Sequence, residues 1–172
     1  MRRLSRPALL LFCLAYLLPG FIDRAPWRSA DITAFGIMAE LARGGANWFS
    51  PRLEGMPVDI DALLPYWLGA WAMQLAPAWI PPDLAARLPF IALLALTFVA
   101  TWQGIYYLAR SPLAQPVAFA FGGEAPAPDY ARAMAAGGLL AFIACLGLAQ
   151  LSHASPPAAA QFFVLSFAFY AL

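Results

Sequence analysis

Apolar runs of near-transmembrane length constrain this chain more than any other feature. The runs at 7–22, 88–108, 134–151 and 157–172 carry no charged side chain. A helix needs roughly 20 apolar residues to cross the ~30 Å hydrocarbon core of a bilayer. In lipid, only helices and closed barrels satisfy their own backbone, and barrel strands alternate in polarity over about ten residues. That alternation is missing, so the runs predict an all-α polytopic membrane protein with four spans. Composition agrees: 63% of residues are hydrophobic and 11% charged, with mean hydropathy +0.70, against roughly a quarter charged in soluble domains.

Charge placement predicts topology. Arg2, Arg3 and Arg6 precede the first run. A charged start followed by an apolar run also describes a secretory signal peptide. Yet Pro19-Gly20-Phe21-Ile22-Asp23-Arg24 offers no small-x-small cleavage site, so the run is read as an uncleaved span with a cytoplasmic N-terminus. The stretch 63–80 carries no charge either, but Pro65 and Pro77 confine its helix to roughly a dozen residues, too few to cross. Leu64, Trp67, Leu68, Trp71 and Leu75 recur at helical spacing, the pattern of a helix lying along an interface at 64–76. With that helix interfacial, Arg2, Arg3, Arg6, Arg110 and Arg132 fall on the cytoplasmic side, as the positive-inside bias requires. Loop 23–87 is then periplasmic and loop 110–132 cytoplasmic. The last run reaches Tyr170-Ala171-Leu172 without a polar flank, which suggests the amino-terminal part of a longer chain.

The external loop is where chemistry would reside. It holds seven carboxylates (Asp23, Asp31, Glu40, Glu54, Asp59, Asp61, Asp83) and five arginines (Arg24, Arg28, Arg43, Arg52, Arg87). Within it, 31–43 reads as an amphipathic helix with Phe35, Met38 and Leu41-Ala42 on one stripe, Asp31 near its start and Arg43 near its end, where each complements the helix dipole. Gly44-Gly45 ends it. Asp31 is either a plain helix cap or a poised acid. Asp59 and Asp61 could give two oxygen ligands to a hard divalent cation, although adjacent turn residues explain them equally well. His153, the only histidine, falls in a Ser/Pro-rich external turn, where a solvated role is the ordinary one. Cys13 and Cys145 sit inside apolar runs as small hydrophobes. A net charge of +1 with no basic block gives no support for nucleic-acid binding, and phosphate-loop, zinc-spacing and nucleophile-elbow motifs are all missing.

Five segments occur in a fixed order: Asp31, Ala46-Asn47-Trp48, Pro51-Arg52-Leu53-Glu54-Gly55, Leu64-Pro65-Tyr66-Trp67-Leu68 and Ala86-Arg87-Leu88-Pro89. Over about sixty residues, without a gap up to Leu68, this resembles the first periplasmic loop of membrane glycosyltransferases that take sugars from polyprenyl phosphate. These are the dolichyl-phosphate-mannose–protein mannosyltransferases and the bacterial aminoarabinose transferases of lipid A, of the GT-C type. Their loop runs from an Asp-Glu pair through Gly-Asp-Trp, Pro-Arg-Leu-Asn-Gly, Glu-Lys-Pro-Pro-Leu and Tyr-Trp-Leu to Ala-Arg-Leu-Pro. Here Ile32 replaces the second acid of the pair. Ile60-Asp61-Ala62-Leu63 replaces the Glu-Lys-Pro-Pro stretch and loses a Glu associated with metal or donor binding. Ser155-Pro156-Pro157-Ala158 stands where the family often has an Asp.

The resemblance implies an inner-membrane enzyme moving a sugar from a polyprenyl-phosphate donor to a periplasmic lipid, glycan or protein acceptor. Asp31 would be the catalytic acid that orients or deprotonates the acceptor. Arg52, Arg87, Tyr66 and Trp67 would contact substrate, and a divalent metal ion would be a possible cofactor, with Asp59 or Asp61 substituting for the lost Glu. The departures favour an alternative, a non-catalytic scaffold or degenerate paralogue. A transporter is disfavoured because no charge lies in mid-span.

Overall fold

The computed structural model describes residues 5–21, 29–60, 62–116, 125–145 and 156–171. Among them are six α-helices: α1 (Arg6–Leu17), α2 (Ser29–Ala42), α3 (Leu64–Leu75), α4 (Pro82–Arg110), α5 (Ala127–Ala144) and α6 (Pro156–Ala171). A two-stranded hairpin, β1 (Arg52–Leu53) with β2 (Met56–Pro57), lies between α2 and α3.

Helix α4 is the mast of the fold. It runs for 29 residues, about 43 Å at 1.5 Å per residue. α5 and α6 pack along it, and α3 packs against it as well. Glycine sets two of these approaches. A Cβ on Gly138 of α5 would stand 2.5 Å from Cδ1 of Ile105, and one on Gly104 of α4 would stand 2.6 Å from the Phe169 ring and 3.4 Å from the Tyr170 backbone. Small residues let helices close in this way. Gly137, by contrast, faces open space, and Gly147 lies outside the described residues. On α5 the contact stripe is Ala131, Ala135 and Leu139, at i, i+4 and i+8. Buried Thr101 donates to the Ser166 hydroxyl at 3.3 Å, a polar link between α4 and α6, while Thr97 bonds back to the Leu93 carbonyl at 2.8 Å.

The four apolar runs fall in helices, most with displaced ends. The helix expected at 88–108 begins at Pro82, because Pro82 occupies the first turn and Asp83 complements the dipole there. Arg87 and Pro89 are therefore helical, not loop. The helix expected at 134–151 runs from Ala127 to Ala144, started by the same Pro–Asp chemistry at Pro128 and Asp129; Arg132 pairs with Asp129 across one turn at 3.6 Å. Hydropathy marks what lipid tolerates, not where a helix starts, and both helices extend into charged sequence. α4 is long and apolar enough to cross a membrane, whereas α1 and 160–171 are shorter apolar helices. At 12 residues, α1 covers about 18 Å, less than its 7–22 run led one to expect. Large apolar side chains nevertheless face outward along α1 (Leu10, Leu11, Leu14), α4 (Leu96, Val99, Leu108) and α6 (Val164, Leu165, Phe167).

Candidate functional site

Helix α2, expected at 31–43, spans Ser29–Ala42 and ends in a Schellman motif. Gly44 takes φ +75°, its N–H bonds the Leu41 carbonyl at 3.1 Å, and Gly45 N–H bonds the Glu40 carbonyl at 2.9 Å. Its buried set is Ala34, Ile37, Met38, Ala39 and Leu41, with Phe35 only half-buried. That arc is wider than the single stripe read from sequence, because α2 is enclosed on two sides. Ala34 and Met38 enter a cluster with Leu17, Phe21, Ala86 and Phe90, while Ile37 and Leu41 enter a second cluster with Ala70, against which Trp48, Tyr66 and Trp67 pack.

Asp31 sits half-buried in the first turn of α2. By helical spacing it shares a face with Ala34 and Met38, the face turned toward the Phe21–Ala86 cluster. Arg87, next to Ala86 on α4, donates from Nη1 to the Phe21 carbonyl of that cluster at 3.3 Å. Tyr66 packs against both clusters. Asp31, Tyr66 and Arg87 thus border one packed junction although 56 residues separate the first from the last.

The segment between α2 and α3 is built from turn chemistry. Asn47 Oδ1 accepts the Phe49 N–H at 2.9 Å, and the Asn47 carbonyl accepts the Ser50 N–H at 3.3 Å. This is an Asx turn, which Asp or Asn can form. Pro51 is buried, and the chain then enters the hairpin, where Arg52 faces Pro57 and Leu53 faces Met56. Glu54 and Gly55 both have positive φ (50° and 82°), the signature of a type I′ turn. Leu53 fastens the hairpin to α2: a Cβ on Gly36 would stand 2.8 Å from its Cδ1. Arg52 is exposed and has no carboxylate partner among the described residues.

Helix α3, expected at 64–76 and found at Leu64–Leu75, buries its small residues, Pro65, Gly69 and Ala70. Gly69 is what lets it approach α2, since a Cβ there would overlap the Met38 thioether. Tyr66, Trp67 and Leu68 are half-buried, while others turn outward: Leu75 is 85% and Trp71 43% exposed, and nearby Phe49 and Trp79 are 78% and 80% exposed. Trp67 ties the two motif segments together by donating from Nε1 to the Trp48 carbonyl at 2.8 Å. Around that bond, Trp48 stacks on Trp71 (6.1 Å between centroids) and Phe49 meets Trp67 edge-on at 5.8 Å. Gln74 Nε2 donates to the Ala42 carbonyl at 3.1 Å, satisfying the end of α2.

The proposed metal ligands receive no such assembly. Asp59 is exposed, Asp61 lies outside the described residues, and no three His, Cys, Asp or Glu side chains gather to hold a cation among the described residues. His153 and the segment 22–28, with Asp23, Arg24 and Arg28, also lie outside them. Sequence reasoning placed Met38 on the apolar stripe of α2 but passed over Gly36, Gly69 and the packing role of Phe21, residues that join the parts. The signal for the first two was an isolated glycine inside a helical pattern. Comparison with protein-family models, curated proteins and solved structures gives no match for this chain.

Proposed function

We propose that this protein is a membrane glycosyltransferase of GT-C type, moving a sugar from a polyprenyl-phosphate donor to a periplasmic lipid, glycan or protein acceptor. The observation that carries the proposal is the packing of the ordered motif segments into one unit. Asn47-Trp48, the Pro51–Gly55 turn and Tyr66-Trp67 are joined to the Asp31 helix by the Trp67–Trp48 bond and the Leu53–Gly36 contact. The outward apolar surfaces of α1, α4 and α6 suit lipid contact, and the exposed Trp71, Trp79 and Leu75 suit the headgroup level, where amphipathic aromatics prefer to sit. On this reading α2 would lie beside the bilayer, near the height of a carrier lipid's phosphate.

On this reading Asp31 orients or deprotonates the acceptor hydroxyl, which attacks the anomeric carbon as the bond to the carrier phosphate breaks. Arg52, exposed and unpaired by any described carboxylate, is suited to the leaving phosphate. Arg87 holds the junction through Phe21, while Tyr66 and Trp67 shape its wall. A divalent ion, if bound, would supply further charge neutralisation at the phosphate. Ile32 and the missing Glu favour a second reading, a non-catalytic scaffold or degenerate paralogue.

The test is turnover of polyprenyl-phosphate-linked sugar by the gene product in membranes, with and without added divalent metal. Asp31→Asn is expected to abolish transfer while leaving membrane insertion intact. Full transfer by that variant would remove the catalytic assignment, and no transfer by the parent would favour the scaffold.

A further inference from the structure

A cleft of about 560 Å³ separates α1 from α4 and α5. Its walls are almost wholly apolar: Leu9 and Leu14 from α1, Ala95, Phe98 and Val99 from α4, and Leu139 from α5. The polar side chains on its lining are Arg6 and Gln103, both well away from its Leu17–Ala95 end. From Arg6 to Leu17 the cleft follows eleven helical steps, roughly 16 Å. Arg6 is exposed and has no carboxylate partner among the described residues. Trp102, on the same lining, stacks on Tyr106 at 5.3 Å, and Trp and Tyr are the side chains enriched at membrane–water interfaces.

The shape and charge of this space select an amphiphile: one flexible apolar chain along the helices and one anionic head beside the guanidinium. It stands apart from the candidate catalytic junction. Gln103 lies sixteen residues beyond Arg87 on the same helix, roughly 24 Å along its axis. With the N-terminus cytoplasmic, a donor whose sugar sits at Asp31 cannot also place its phosphate at Arg6. Arg2 and Arg3 precede Arg6 in sequence and add to the positive charge at that end of the chain.

We infer that the cleft between α1, α4 and α5 holds one acyl chain of an anionic glycerophospholipid of the cytoplasmic leaflet, with its phosphate on Arg6. The lipid completes the seat of α1, which otherwise meets α4 along only part of its length. This inference rests on the membrane reading of the chain but not on transferase activity.

The experiment uses the full chain reconstituted in vesicles of equimolar phosphatidylglycerol and phosphatidylcholine, then extracted in mild detergent and examined by native mass spectrometry. The parent is expected to retain one phosphatidylglycerol in preference to phosphatidylcholine. Arg6→Gln should lower that preference roughly fivefold, about what one arginine contributes near an anionic membrane surface. Ala95→Phe, which fills the cleft, should lower retention of both lipids. Helical circular dichroism confirms that each variant folds. Equal retention of the two lipids by parent and Arg6→Gln, retention undiminished in Ala95→Phe, or a lipid-free dimer in place of the lipid-bound chain would each overturn the inference. Failure of the parent to float with the vesicles would overturn it through the membrane reading, whereas loss of sugar transfer alone would leave it standing.

Discussion

Trp67→Phe removes one donor and keeps a ring. The indole N–H of Trp67 reaches the Trp48 carbonyl at 2.8 Å across 19 residues. A net hydrogen bond contributes ~1 kcal/mol, and stranding the partly buried carbonyl raises the loss toward ~2 kcal/mol. Phenylalanine retains part of the contacts to Phe49 and Trp71, at 5.8 and 6.1 Å. The smaller ring therefore adds only about 0.5 kcal/mol. The total, about 1.5–2.5 kcal/mol, corresponds to a roughly ten- to sixtyfold rise in local opening of the segment from Asn47 to Pro57. Amide hydrogen exchange of that segment in detergent or nanodiscs measures the rise directly. Trp71→Phe is the comparison, because Trp71 meets Trp48 and Trp67 through its ring; it should change exchange by less than about fivefold, in line with ~0.5–1 kcal/mol of aromatic contact. If exchange in Trp67→Phe matches the parent, or matches Trp71→Phe, the bond does not hold the hairpin segment to α3 and the reasoning fails.

Glu54→Asn should slow amide exchange across Arg52–Pro57 several-fold, because asparagine tolerates the positive φ that glutamate adopts there at a cost of about 1 kcal/mol; no change would mean the turn is not type I′ in solution. Gly104→Val should part α4 from α6, costing about 1–3 kcal/mol by overpacking. Its readout is a disulfide between Thr101→Cys and Ser166→Cys in a background lacking Cys13 and Cys145, formed without Gly104→Val and lost with it. Arg87→Gln should cost about 1.5–3 kcal/mol, the range for a hydrogen bond from a charged donor, seen as a lower thermal midpoint. Arg87→Lys should recover only part of it, since an ammonium lacks the planar fork.

Helices were legible in this sequence where Pro65, Pro77 and Gly44 punctuate it. Pro65 and Pro77 bounded α3 to within a residue, and Gly44 marked the end of α2 through the one backbone conformation it alone takes cheaply. Helix starts were less legible: Pro82-Asp83 and Pro128-Asp129 are good first turns but lie in charged sequence, so runs chosen by hydropathy began late. Asp31 was located correctly at a helix start. The approach of its helix to Arg87 was not, because α2 and α4 pack through Ala34, Met38, Phe21 and Ala86, ordinary apolar residues with no distinctive spacing. The hairpin was missed for a similar reason. Glu-Gly is a weak turn signal beside Asn-Gly, and a strand of two residues has too little alternation to detect.

One helix doing two jobs has a mechanical consequence. At about 43 Å, α4 exceeds a ~30 Å hydrocarbon layer by roughly 13 Å, and the charged Asp83 and Arg87 make its leading turns the part least suited to lipid. If α4 is embedded, a thicker bilayer draws that surplus inward and a thinner one lets it rise, unless the helix leans to compensate. The guanidinium of Arg87 would move with it, and so would the face of α2 that packs on Ala86 and Phe90. Lipid thickness would then set how far the whole junction stands from the bilayer surface, through nothing more than the length of a rod.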